Sequence, residues 1–162
     1  MRRSMTGATF LILAFSLWAG AESTDAERTV KLDGQTVQLA RYAKAFIGPG
    51  NVTVEVAPYK LGDRAGAILL FHGIESDWDG QAINHAVKPA DYEGETYVTL
   101  YKGADWHTVT SRKDLQGVLH YEMFVPGVRE AITLVPSDGA AQLTTPKKIY
   151  DQYASQRTKE TP

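Results

Sequence analysis

The sequence predicts a mainly β protein, with α+β as the variant: an antiparallel sheet or β-sandwich of about seven or eight short strands with two short helices, near 39–47 and 146–155. Three features predict it. Alternating apolar and polar residues flank Asp33-Gly34, the run Glu95–Tyr101 is rich in β-branched and aromatic residues, and Ala67–Phe71 is apolar at every position.

In chain order, Thr29–Leu32 and Gln35–Leu39 enclose Asp33-Gly34, a dipeptide that favours a primed hairpin turn, and both flanks place Val and Leu on one face. Between Leu39 and Ile47 the spacing of Leu39, Tyr42, Ala43, Phe46 and Ile47 predicts a helix, stopped by Gly48-Pro49-Gly50. Val52, Val54 and Val56 alternate with Thr53 and Glu55 as a half-buried strand running to Pro58. Ala65–His72 must be covered on both faces, which makes it the central strand. Gln81–Val87 is a further strand and Pro89–Glu93 a loop. Glu95–Tyr101 and Asp105–Thr110 form a second hairpin about Lys102-Gly103, and Val118–Phe124 and Val128–Val135 are two more strands separated by Pro126-Gly127. Thr145-Pro146 offers a helix cap and first-turn proline, and Ile149, Tyr150 and Tyr153 give that helix an apolar side.

The first 21 residues combine Arg2 and Arg3, an apolar run from Ala8 to Trp18, and Ala19-Gly20-Ala21, the pattern of a cleavable export signal. The expected organisation is a signal over 1–21, one β-rich domain over 22–155 and a disordered tail over 156–162. The expected location is periplasmic or extracellular. The absence of cysteine favours a bacterial source, because small secreted domains of animal type are commonly stapled by disulfides. The apolar run is too short to span a bilayer, so no integral membrane anchor is expected. Cleavage would remove two arginines and take the formal net charge from −2 to −4. That mild acidity, without a basic stripe, argues against a nucleic-acid partner.

Candidate sites fall into three groups. Glu75, Asp77 and Asp79 alternate ahead of Gly80 as a calcium loop begins, but Ala86 stands where a closing glutamate would be needed; the plainer reading is an acidic turn with Trp78 packed at its base. Asp105 with His107, and His120 with Glu122, are i, i+2 pairs on strands. If those strands were neighbours, two imidazoles and two carboxylates could hold zinc or serve acid–base chemistry, with His72 as an additional donor. The fourth histidine, His85, also falls on a strand. Tyr97, Trp106 and Tyr121 could form a recognition surface or a ligand cavity, or simply fill the core.

Nucleophile elbows, phosphate loops and zinc-helix motifs are absent from the sequence. The reading therefore leans away from an enzyme. It favours a soluble exported binding protein acting on another envelope protein or macromolecule, in one form an inhibitor or immunity protein using the acidic turn, with no required cofactor. A metal-binding protein or metal-dependent hydrolase, with calcium or zinc, is the first alternative; a sandwich binding a sugar or small apolar ligand is the second.

Overall fold

The computed structural model describes residues 25–90 and 93–160; the expected export signal lies outside them. Ten strands form one antiparallel sheet: β1 (Thr29–Leu32), β2 (Gln35–Leu39), β3 (Lys44–Ile47), β4 (Thr53–Leu61), β5 (Arg64–His72), β6 (Ala82–Ala90), β7 (Gly94–Tyr101), β8 (Ala104–Lys113), β9 (Leu119–Met123) and β10 (Ile132–Pro136). Because β4 pairs with both β3 and β5, eight strands close in the order β4-β3-β10-β9-β8-β7-β6-β5. The architecture is a barrel rather than a sandwich, with β1 and β2 as an appended hairpin. Three helices complete it: α1 (Asp25–Arg28), α2 (Asp138–Gln142) and α3 (Pro146–Glu160).

Both expected hairpins form. Their turn residues have positive φ, at Asp33 and Gly34 in one and Lys102 and Gly103 in the other, as a primed turn requires. The helix expected over 39–47 is instead the end of β2, a break at residues 40–43, and β3. Both strands run along the same flank of the long β4: Leu39 pairs with Tyr59 near one end, and β3 pairs with Thr53–Val56 at the other. The break leaves the alternation in phase: Leu39 and Ala43 pack outside the barrel while Phe46 points in, so the apparent helical stripe joins residues of opposite faces. The strand expected to end at Val87 continues to Ala90, taking Pro89 into the ladder opposite Glu95.

Inward residues of the barrel include Val54 and Val56 of β4, Leu69 and Phe71 of β5, Tyr97, Val109, Met123 and Leu134. Outside, Ile68 and Leu70 of β5 join Val37, Leu39, Ala57, Ile149 and Tyr153 in a second core beneath α3 and the β1–β2 hairpin. Strand β5 is thus buried on both faces, as its unbroken apolar run predicts. Thr145 caps α3, its hydroxyl accepting from the Lys148 amide at 3.2 Å. The helix runs past 155 to Glu160, so the expected tail is helical from Gln156; that side chain accepts from the Ala82 amide at 3.0 Å and donates to the Gly80 carbonyl at 3.1 Å, tying the last turns to the barrel.

Candidate functional site

The outward faces of β7, β8 and β9 carry the histidine and carboxylate set without bringing it together. His107 lies opposite Val98, and His120 opposite Arg112, five residues further along β8, which is about 16 Å of strand. Asp105 and His120 have local partners instead: Asp105 accepts from Lys88 at 3.0 Å, and His120 Nε2 lies 2.7 Å from Asp114 Oδ2. Glu122 stands between Thr110 and Thr133. Elsewhere on the outer wall, His72 Nε2 lies 3.8 Å from Glu55 Oε1. Among the described residues, no three His, Cys, Asp or Glu side chains converge as a metal site would require.

The acidic segment is a rigid surface turn. The Asp79 carboxylate accepts from the Ile74 amide at 3.3 Å, and Ser76 Oγ donates to the Pro126 carbonyl at 2.8 Å. Glu75, Asp77 and Asp79 are exposed, while Trp78 turns inward against Phe71.

That tryptophan belongs to an aromatic plug. Rings of Phe71, Trp78, Tyr101 and Trp106 follow one another at centroid distances of 5.6, 5.9 and 5.5 Å, and the Trp106 indole donates to the Phe124 carbonyl at 2.8 Å. His85 sits among them, 1% exposed. Its Nδ1 donates to the Ile83 carbonyl at 2.8 Å, which leaves Nε2 to accept from the Thr108 hydroxyl at 2.9 Å. Thr108 reaches this position because the β7–β8 register shifts between Tyr97 and Val98. Burial pushes the imidazole down to about 4, and the hydrogen bond to Ile83 opposes that only in part. His85 is consequently neutral at pH 7 and fully partnered, a core group.

The opposite end of the barrel is open. Inward residues of β5 shrink from Phe71 and Leu69 to Ala67 and Ala65, and facing positions of β4 run from Val54 and Val56 to Pro58 and Lys60. At this end lies a hollow, or cup, of about 350 Å³, with Ala65, Ala67, Pro58, Val87 and Tyr97 among its lining and Leu39 and Ala40 at its rim. Tyr59 and Gly66 also line the cup; the Tyr59 ring covers Gly66, where a Cβ would come within 2.2 Å of it, and its hydroxyl donates to Asn84 Oδ1 at 2.7 Å. Asn84 and Tyr153 both donate to the Asp33 carboxylate, so hairpin, helix and wall are fixed to one another beside the cup.

Charged groups stand around the mouth: Arg28, Lys44, Lys60 and Glu95. Lys44 on β3 and Glu95 on β7 are four strands apart in either direction around the ring, so their 3.9 Å ion pair spans the diameter of the barrel. The Tyr97 hydroxyl donates to the same Glu95 oxygen at 3.5 Å; burial, reinforced by that carboxylate, raises its pKa and keeps it a proton donor. Burial and Glu95 likewise raise Tyr121, whose ring packs 4.8 Å from Phe46. Of the three aromatics expected at a binding surface, Tyr97 lines the cup, Tyr121 fills the interior and Trp106 belongs to the plug.

A larger groove of about 900 Å³ between the β2–β3 break and the α2–α3 segment shares Arg28, Leu39 and Ala40 with the cup. Residue patterns do not mark either hollow, but one signal for the cup is present in the sequence: Ala65 and Ala67 occupy the inward positions of a strand whose later inward positions hold Leu69 and Phe71. No protein-family model, curated protein or solved structure matches the chain.

Proposed function

We propose that this is a non-catalytic binding protein, acting after export, that receives the apolar body of a small molecule in the mouth of its barrel. The observation that carries this reading is the taper of inward side chains, which fills one end with aromatics, together with the cup at the other. Small eight-stranded barrels have an interior that either packs solid or holds one small ligand. Its size falls at the lower end of the range for ligand pockets, and its mix of apolar walls with a few polar groups suits orientation of a guest.

A neutral environment-sensitive dye, N-phenyl-1-naphthylamine, tests the reading. Wild-type protein should enhance its fluorescence saturably at one site per chain. Ala65→Trp should abolish the enhancement while leaving the circular dichroism and melting midpoint in place, because Ala65 lines the cup and is itself exposed. Failure of the wild type to take up dye, or equal uptake by Ala65→Trp, would overturn the proposal.

A second reading follows from the acidic turn: an inhibitor that presents Glu75 and Asp77 to a basic cleft of an envelope enzyme. Its support is that both carboxylates are exposed on a turn pinned by Ser76. Retention of an envelope enzyme on immobilised protein, lost with Glu75→Lys and Asp77→Lys, is the expected result; equal retention by these variants would remove the turn from the interaction.

A further inference from the structure

We infer that the cup selects amphipathic monoanions, with Lys44 exchanging Glu95 for the acidic head of the ligand. The inference rests on the ligand-cup reading and adds the chemical class of the guest. Among the residues lining the cup, Lys44 and Lys60 stand at the mouth with one carboxylate, Glu95, so the field at the entrance favours a negative head. An apolar body entering the cup between Ala67, Val87 and Tyr97 would leave its polar end at the level of the Lys44–Glu95 bridge.

That bridge is suited to exchange. Its 3.9 Å separation and the 55% exposure of both side chains place it among weak, solvent-screened surface pairs. A head group entering at the mouth offers Lys44 a nearer acceptor at little cost. The Tyr97 hydroxyl, now donating to Glu95, can donate to the same head. Lys60 makes no ion pair among the described residues and contributes its charge without having to break one. Glu95 in this arrangement is an internal competitor, occupying the cation until a ligand carboxylate or sulfate monoester displaces it.

Titration calorimetry with three probes sharing one tail, octanoate, 1-octanol and octyltrimethylammonium, separates the elements of the inference. Octanoate should bind at least ten-fold more tightly than the other two. Lys44→Met should weaken octanoate about ten-fold, the loss expected of one charge-assisted hydrogen bond, and leave octanol unchanged. Glu95→Gln should tighten octanoate. Octyl sulfate, a monoanion with a different head, should bind like octanoate, whereas affinity no better than that of octanol would overturn selection by charge. Equal affinity for octanoate and octanol, both abolished by Ala65→Trp, would overturn anion selection while leaving the cup intact. Octanoate binding that ignores Lys44→Met would overturn the role of that lysine. Absence of binding by every octyl probe, together with failure of the dye experiment, would remove the cup itself.

Discussion

Acidification should destabilise the fold through His85. The imidazole has an ordinary value of 6.5 when the chain is unfolded and about 4 in the barrel, so below pH 6.5 the unfolded chain holds a proton that the native state refuses. The stabilising contribution is complete above pH 6.5, falls as pH drops from 6.5 towards 4, and is exhausted below 4. A difference of this size amounts to about 3 kcal/mol, a substantial share of the ~5–15 kcal/mol by which domains are stable. Surface carboxylates also titrate in acid, so the decisive comparison is with His85→Leu/Thr108→Val. That double variant removes both partners of the buried 2.9 Å hydrogen bond and leaves neither polar group orphaned there. Urea unfolding at pH 7, 5.5 and 4 should show the wild type losing about 3 kcal/mol more than the double variant across the range. Parallel losses in the two proteins would refute the assignment, because the carboxylates common to both would then explain the whole acid response.

Two further substitutions probe the frame around the site. Gly94→Ala should cost about 2–4 kcal/mol in urea unfolding, since a Cβ there would lie 1.9 Å from the Ser111 carbonyl oxygen and only a shift of β7 against β8 could relieve it; a loss under about 1 kcal/mol would show that the strands part freely. Tyr153→Phe should lower stability by about 2 kcal/mol, because the hydroxyl donates to the Asp33 carboxylate at 2.8 Å and joins α3 to the first hairpin. Its unfolding midpoint should fall while the dye affinity of the cup stays constant, and an unchanged midpoint would show that this hydrogen bond adds nothing to the hold on α3.

Local chemistry made the hairpins legible: Asp33-Gly34 and Lys102-Gly103 specify their turns through positive φ, and the alternation beside each fixes the inward face. The double burial of β5 was equally legible in its uninterrupted apolar residues. Residues 39–47 misled because their apolar side chains belong to two strand pieces on the flank of β4 and serve two different cores, Leu39 and Ala43 outside and Phe46 inside, whereas a helical period collects them on one face. Ring closure was invisible for a related reason. It depends on β3 meeting β10, about 90 residues away, through a match too short to leave a pattern. The site suffered from the same limit. Lys44 and Glu95 become neighbours only across a closed barrel, whereas the i, i+2 histidine pairs that spacing does reveal face outward at separate heights of the wall.

The join between β3 and β10 comprises two residue pairs, Val135 with Ile47 and Pro136 with Phe46, and the proline has no amide hydrogen to give; the Ser137 amide reaches the Ala45 carbonyl just beyond, at 2.9 Å. The cylinder therefore has one short row of stitches, and they run along the strand that carries Lys44. Amide protons beside this row should exchange through local opening well before those of the β4–β5 wall, which is sewn along nine residue pairs. Opening of the cylinder should therefore start at this row, with the β4–β5 wall still paired.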